Sequence, residues 1–189
     1  MDTRTVTNRI VIHHSASPAN TTMEQVDQWH RNQGFSCIGY HYFIEADGTV
    51  REGRAVWAVG AHAIGANNDS VGICLAGNFE EAPPTQAQTI ALAATIRDVR
   101  RLYGNIPYIG HFQVDPASHP TACPGSLFPW NDLAKELEEA EPVAENWKVQ
   151  IMQDAKVAGL ISGEHNPDDP SPKWFVLAVA LKLLELMKK

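Results

Sequence analysis

Two short runs in this chain, RIVIHH at 9–14 and SVGICL at 70–75, carry apolar side chains at successive positions. A strand with one wet face alternates apolar with polar residues, so runs of this kind read as strands buried inside a sheet. The first belongs to a β-branched stretch from Thr5 to His14, and Gly77-Asn78 marks the end of the second. Helical signals fall between them and after them. Thr21-Thr22-Met23-Glu24 reads as a capping box opening a helix that Gly34 stops, and Thr85 to Gln88 is a second box, opening a helix to Tyr103 with Gly104 as its stop. Tyr40 to Ile44 and Thr49 to Glu52 flank Asp47-Gly48, a pair that readily takes the positive φ angles of a tight hairpin. Tyr108 to His111 is short and strand-like, a loop rich in proline and small residues covers Val114 to Gly125, and Trp130 to Glu139 is amphipathic at helical spacing. The pattern predicts an α/β fold, a central mixed β-sheet flanked by helices, followed by a small C-terminal helical module.

The boundary falls at an acidic run, Glu136 to Glu141, followed by Pro142, which sets a first domain at 1–141 and a second at 142–189. The second is expected to hold two helices, Val143 to Ala158 and one opened by Ser171-Pro172 that ends in Lys188-Lys189. Neither alone buries enough surface to stand in water, so they should pack on each other, on the first domain or on a partner.

With 15 Lys plus Arg against 22 Asp plus Glu, the formal charge of −7 has the wrong sign for general capture of nucleic acid or anionic lipid. The longest apolar run, Trp174 to Leu181, is far short of the roughly 20 residues that span a bilayer, so no membrane insertion is expected. The opening MDTRTVTNRIVIHHS lacks the pattern of a secretory signal, which predicts a cytoplasmic location. The 3 cysteines, Cys37, Cys74 and Cys123, are too few for a disulfide framework.

Candidate chemistry comes from three positions. His13 closes the first strand, His111 the last, and Cys123 lies in the loop beyond it. Side chains at strand ends of an open α/β sheet project into a crevice, which is where sites form. Two imidazoles and a thiolate suit zinc, and three protein ligands leave a fourth place for water. A single histidine at a strand end is also often just a hydrogen-bonded polar group.

The blocks around these residues narrow the choice. VIHHSAS (11–17), QWHRNQGF (28–35), IGYHYFIEADGTVREGR (38–54), VGAHAIGANNDSVGICLAGN (59–78), GHFQVDP (110–116) and TACPG (121–125) follow one another in an order that resembles the type 2 N-acetylmuramoyl-L-alanine amidases. That zinc family includes bacteriophage lysozyme-amidases and peptidoglycan recognition proteins, and the resemblance runs from Ile10 to Pro124. It implies one Zn²⁺ per chain on His13, His111 and Cys123. Successive strand residues face opposite sides, so His14 should not share the ion and is expected to be a hydrogen-bonded structural residue.

The resemblance further implies that Tyr40 stands beside the zinc to orient water or bond an oxyanion, with its neighbour His41 turned away. Thr121 stands where many relatives carry a lysine, and Cys74 where some carry a glutamate. His119 is the candidate proton donor in their place. His62, Asn67 and Asn68 fall in a loop that borders the substrate cleft in relatives, while Trp29 and Trp57 are expected to be core aromatics outside the site. The implied reaction is zinc-assisted hydrolysis of the amide between N-acetylmuramic acid and L-alanine of bacterial peptidoglycan, performed by an endolysin that leaves the cytoplasm through a holin-type lesion. Alternatives are a cytoplasmic muropeptide-recycling amidase, a peptidoglycan-binding module that does not cut, and a cysteine hydrolase using Cys123. The C-terminal helices would target the wall or form a homodimer.

Overall fold

The computed structural model describes residues 2–139 and Lys156. The two helices expected within 142–189 lie outside the described residues. The chain divides into two units, Met1–Leu137 and Glu138–Lys189, and the elements that follow lie almost wholly in the first.

The two apolar runs are the central strands, β1 (Arg9–His14) and β4 (Ser70–Leu75), and they pair in parallel. β2 (Tyr42–Ile44) runs parallel to β4, β3 (Val50–Glu52) is antiparallel to β2, and β5 (Tyr108–Gly110) is parallel to β1. The order β3-β2-β4-β1-β5 makes the mixed five-stranded sheet that the sequence predicts. Helices α1 (Met23–Asn32), α2 (Gln86–Tyr103) and α3 (Trp130–Glu139) complete the described elements.

Both faces of β1 and β4 are covered, which is why their sequences do not alternate. On one face Ile10, Ile12, Val71, Ile73 and Leu75 meet Leu92, Ile96 and Val99 of α2 and Leu133 of α3. On the other, Cys74 and Phe43 meet Val26 of α1, and Val11 meets Ala63 and Ala66 of the loop before β4. His13 pairs with Cys74, and Cys74 with Phe43, so His13 belongs to this second face.

The helix caps hold with one shift. Thr85 and Gln88 form the capping box of α2 as expected. For α1 the box is Thr22 with Gln25 rather than Thr21 with Glu24: the Thr22 backbone is extended, its hydroxyl accepts from Gln25 N–H, and the Gln25 side chain returns to Thr22 N–H. Thr21 is buried instead. The hairpin also differs from a two-residue turn. Gly48 N–H bonds back to Glu45 C=O, and Gly48 (φ 88°) is the left-handed residue while Asp47 is not. Asp47 instead accepts Thr49 N–H, so the glycine alone carries the positive φ. Trp29 and Trp57 are not core residues: they are 42% and 53% exposed, because α1 buries only Val26 and the Trp57 loop runs over the surface.

Arg4 is a contact that sequence patterns did not reveal. It is buried, and its guanidinium donates to Val56 O (2.6 Å), Ala58 O (2.8 Å) and Thr7 Oγ1 (2.8 Å), tying the segment before β1 to the loop after β3. Arg4→Ala removes three hydrogen bonds of a buried guanidinium, although Val56 O keeps the Tyr103 hydroxyl (3.1 Å) and Ala58 O keeps His41 Nε2 (3.0 Å); it should cost about 2–3 kcal/mol, read as a lower urea midpoint at unchanged slope. A midpoint equal to wild type would show that the Tyr103 hydroxyl and His41 suffice for the two carbonyls. Cys37, Cys74 and Cys123 are all free thiols. Among the described residues no helix is long and apolar enough to cross a membrane.

Candidate metal centre

β1 and β5 are neighbours with Ile12 opposite Gly110, so the residues just beyond, His13 and His111, leave the sheet side by side. Their ring centroids are 4.5 Å apart. The loop after the short turn His111–Gln113 returns across the end of β1, held by Phe112 N–H to Cys123 O, and brings Cys123 Sγ to 3.7 Å from His13 Nδ1. One donor atom from each of His13, His111 and Cys123 lies within 4.8 Å of the others. A tetrahedral zinc with Zn–N near 2.05 Å and Zn–S near 2.3 Å sets nitrogen and sulfur ligands about 3.5 Å apart, so the His13–Cys123 spacing fits that ion.

The electrostatics agree with a ligand set. Burial, then the neighbouring histidines His62, His111 and His14, hold His13 well below its ordinary pKa, which keeps its imidazole neutral with a lone pair to offer. Burial lowers His111 in the same direction. Cys123 is pushed up to about 12 by burial, so a lone thiolate is disfavoured there and a cation is what would stabilise one.

Tyr40 packs beside His13 with ring centroids 5.1 Å apart. Burial and the thiols Cys74 and Cys123 raise its phenol well above the usual value, so it keeps its proton and has an O–H to donate. His41 points away, as expected: it is buried, its Nδ1 accepts Gly72 N–H at 2.9 Å, and its Nε2 lies 3.0 Å from Ala58 O. His14 is likewise structural, accepting Phe79 N–H at Nδ1.

A cleft of about 640 Å³ opens beside the centre, with His111, His119 and Thr121 on one side and Phe35, Ile64 and Asn67 among its other lining residues. His119 is half exposed there, and its Nδ1 lies 2.8 Å from Asp115 Oδ2. Thr121 Oγ1 accepts Cys123 N–H at 3.2 Å, so the hydroxyl holds the ligand loop while its own proton remains to donate. Asn67 turns its Oδ1 inward to the N–H groups of His62 and Ala63, a loop-pinning role rather than a free amide. Asn68 is exposed and does not line the cleft. His62 lies at the cleft's inner wall, 9% exposed, with both ring nitrogens aimed at protein atoms. Asp115, Phe35 and Ile64 escaped sequence reasoning. Only the Asp115-to-His119 spacing of four residues gave any signal.

A sheet that ends two imidazoles and a thiol beside an open cleft defines a class of α/β proteins that can hold a metal ion where a substrate reaches it. Residues 2–126 match the family described as N-acetylmuramoyl-L-alanine amidase, and the chain belongs to that family. Among its relatives, the endolysin of Enterobacteria phage K11 is 37% identical over 125 residues, 62% of this chain and 83% of that one. Peptidoglycan-recognition protein SC2 of Drosophila melanogaster is 34% identical over 135 residues, 65% of this chain and 70% of that one. Among solved structures, the N-acetylmuramoyl-L-alanine amidase LysC from Clostridium intestinale URNW aligns with a TM-score of 0.63 at 37% identity, over 70% of this chain and 85% of that one.

Proposed function

We propose that the chain hydrolyses the amide between N-acetylmuramic acid and L-alanine in bacterial peptidoglycan, with one zinc ion held by His13, His111 and Cys123, and that it serves as an endolysin. Family membership makes it an N-acetylmuramoyl-L-alanine amidase, and the phage endolysins among its relatives support the lytic role. The observation that carries the zinc reading is the convergence of three donor atoms within 4.8 Å beside a substrate-sized cleft.

Bound zinc supplies Lewis acidity and lowers the pKa of a coordinated water from 15.7 to about 7. The protein's own groups do the rest. Tyr40, kept protonated, donates its O–H to the carbonyl oxygen as that oxygen gains charge. Thr121 adds a second hydroxyl on the His119 side of the cleft. His119, with Nδ1 oriented by Asp115, takes the proton of the attacking water at Nε2 and delivers it to the leaving alanine nitrogen. The carbon–oxygen bond forms, the carbon–nitrogen bond breaks, and the proton count closes.

Two alternatives lose ground. A pure binding module has no use for a complete ligand triad. A cysteine hydrolase needs a lowered thiol pKa, whereas burial pushes Cys123 the other way. For residues 142–189 the proposal is a helical module that targets the wall or pairs two chains, supported by the helix start at Ser171-Pro172 and the basic end Lys188-Lys189.

Zinc-loaded protein incubated with purified cell walls should release new L-alanine amino termini, and Tyr40→Phe should lower turnover roughly 100-fold with zinc retained. No release from fully loaded protein would overturn the hydrolase reading. Undiminished turnover in the variant would remove Tyr40 from the mechanism.

A further inference from the structure

We propose that His62 is a positioning residue for the metal ligand His13, the middle member of a directed hydrogen-bond chain that leaves His13 a lone pair at Nδ1 and a proton at Nε2. The inference rests on the zinc reading of the centre. His13 turns Nδ1 toward Cys123 Sγ at 3.7 Å, and its other nitrogen, Nε2, lies 3.0 Å from His62 Nδ1. His62 Nε2 lies 3.4 Å from Ser70 Oγ, and Ser70 Oγ donates to Ala66 O at 2.6 Å.

The direction of this chain is set at its far end. A backbone carbonyl only accepts, so the Ser70 proton goes to Ala66 O and the Ser70 oxygen is left to accept from His62 Nε2–H. With its one proton at Nε2, neutral His62 accepts at Nδ1, which fixes the His13 proton at Nε2. The ligand tautomer is thereby decided by groups that never touch the ion, the role that carboxylates or carbonyls behind ligating histidines usually fill.

The ring is also clamped in place. A Cβ built on Gly72 would stand 2.5 Å from His62 Cγ and Cδ2, and one built on Gly60 would stand 2.5 Å from Cδ2. Two glycines therefore form the slot that admits the imidazole, and any side chain at either would expel it. Asn67 Oδ1 pins the backbone at this point through the N–H groups of His62 (2.8 Å) and Ala63 (2.9 Å). His13, His62 and Ser70 are all buried, so water competes little for the chain.

The test compares the full chain with two variants. His62→Leu keeps bulk but removes the acceptor, whereas His62→Asn puts an amide oxygen where Nδ1 stands. In a chelator competition, His62→Leu should bind Zn²⁺ about 10–100-fold more weakly and His62→Asn should recover most of that loss. The Co²⁺-substituted protein should show a shifted ligand-field spectrum in His62→Leu alone, a change that mere loss of stability does not produce. Wild-type affinity and an unchanged spectrum in His62→Leu overturn the inference while leaving the zinc reading intact. Failure of the wild-type chain itself to bind one Zn²⁺ overturns the zinc reading instead. If His62→Leu does not fold, Ser70→Ala cuts the chain one link further on: several-fold weaker binding supports the inference, and unchanged binding overturns it.

Discussion

Cys123→Ala should fold, lose stoichiometric zinc and release no alanine amino termini above background. The thiolate is one of three protein ligands, and two imidazoles alone do not hold the ion against a chelator. Losing the ion removes several kcal/mol of transition-state charge stabilisation, on the order of 10³-fold or more in rate. The fold should survive because the contacts that place this loop are made by the backbone, Phe112 N–H to Cys123 O and Cys123 N–H to Thr121 Oγ1, and neither depends on the sulfur. Cys123→Asp, which offers an oxygen ligand, should regain part of the metal binding. The measurements are zinc content after dialysis, melting of the metal-free forms and alanine amino-terminus release. Full activity with zinc still bound in Cys123→Ala would refute the ligand set. Inhibition of wild type by alkylation but not by chelation would point to thiol chemistry instead.

Acidification should destabilise the metal-free protein well before its carboxylates protonate, with His41 among the contributors. Its pKa is lowered to about 4, first by burial and then by the charges of Arg4 and Arg54, against the unfolded value near 6.5. The neutral ring uses both nitrogens: Nδ1 accepts Gly72 N–H, so Nε2 carries the proton and faces Ala58 O. A second proton would have to enter at Nδ1, breaking the bond to Gly72 and placing a cation beside the Arg4 guanidinium, 3.0 Å from Nε2. A depressed histidine pKa means that the unfolded chain binds the proton more readily. Stability is therefore fully present above about pH 6.5 and declines as the pH falls toward 4. Between pH 7 and 4.5 His41 alone removes about 2.5 kcal/mol, a large share of a typical domain's total. His13 and His62, both lowered well below their ordinary values by burial, act in the same direction. Urea midpoints should drop across this interval, and His41→Gln should flatten the dependence. A midpoint constant from pH 7 to 4.5 would contradict it.

Much of this centre was legible in the linear chain because its signals are local. Unbroken apolar runs announce strands covered on both faces, and capping boxes place helix starts to within a residue. The ordered motifs carried His13, His111, Cys123 and Tyr40 into one neighbourhood, where the structure finds them together. What stayed hidden shares a cause. His62 and Asn67 do line the cleft, but a loop sequence does not say which way side-chain atoms turn, and partners inside the protein hold both His62 nitrogens and Asn67 Oδ1. Trp29 and Trp57 read as core because large aromatics usually are, but exposure depends on what else lies over them.

What the amino-acid order determined by itself was the strand and helix pattern and the residue types able to bind a metal, since both follow from periodicity and side-chain chemistry. Only the folded chain decided that Arg4 would lace the segment before β1 to a loop some 50 residues away, and that His62 would slide between Gly60 and Gly72 to support His13. Such contacts are set by register across the sheet and by the last few tenths of an ångström of packing, which no spacing within a single strand encodes.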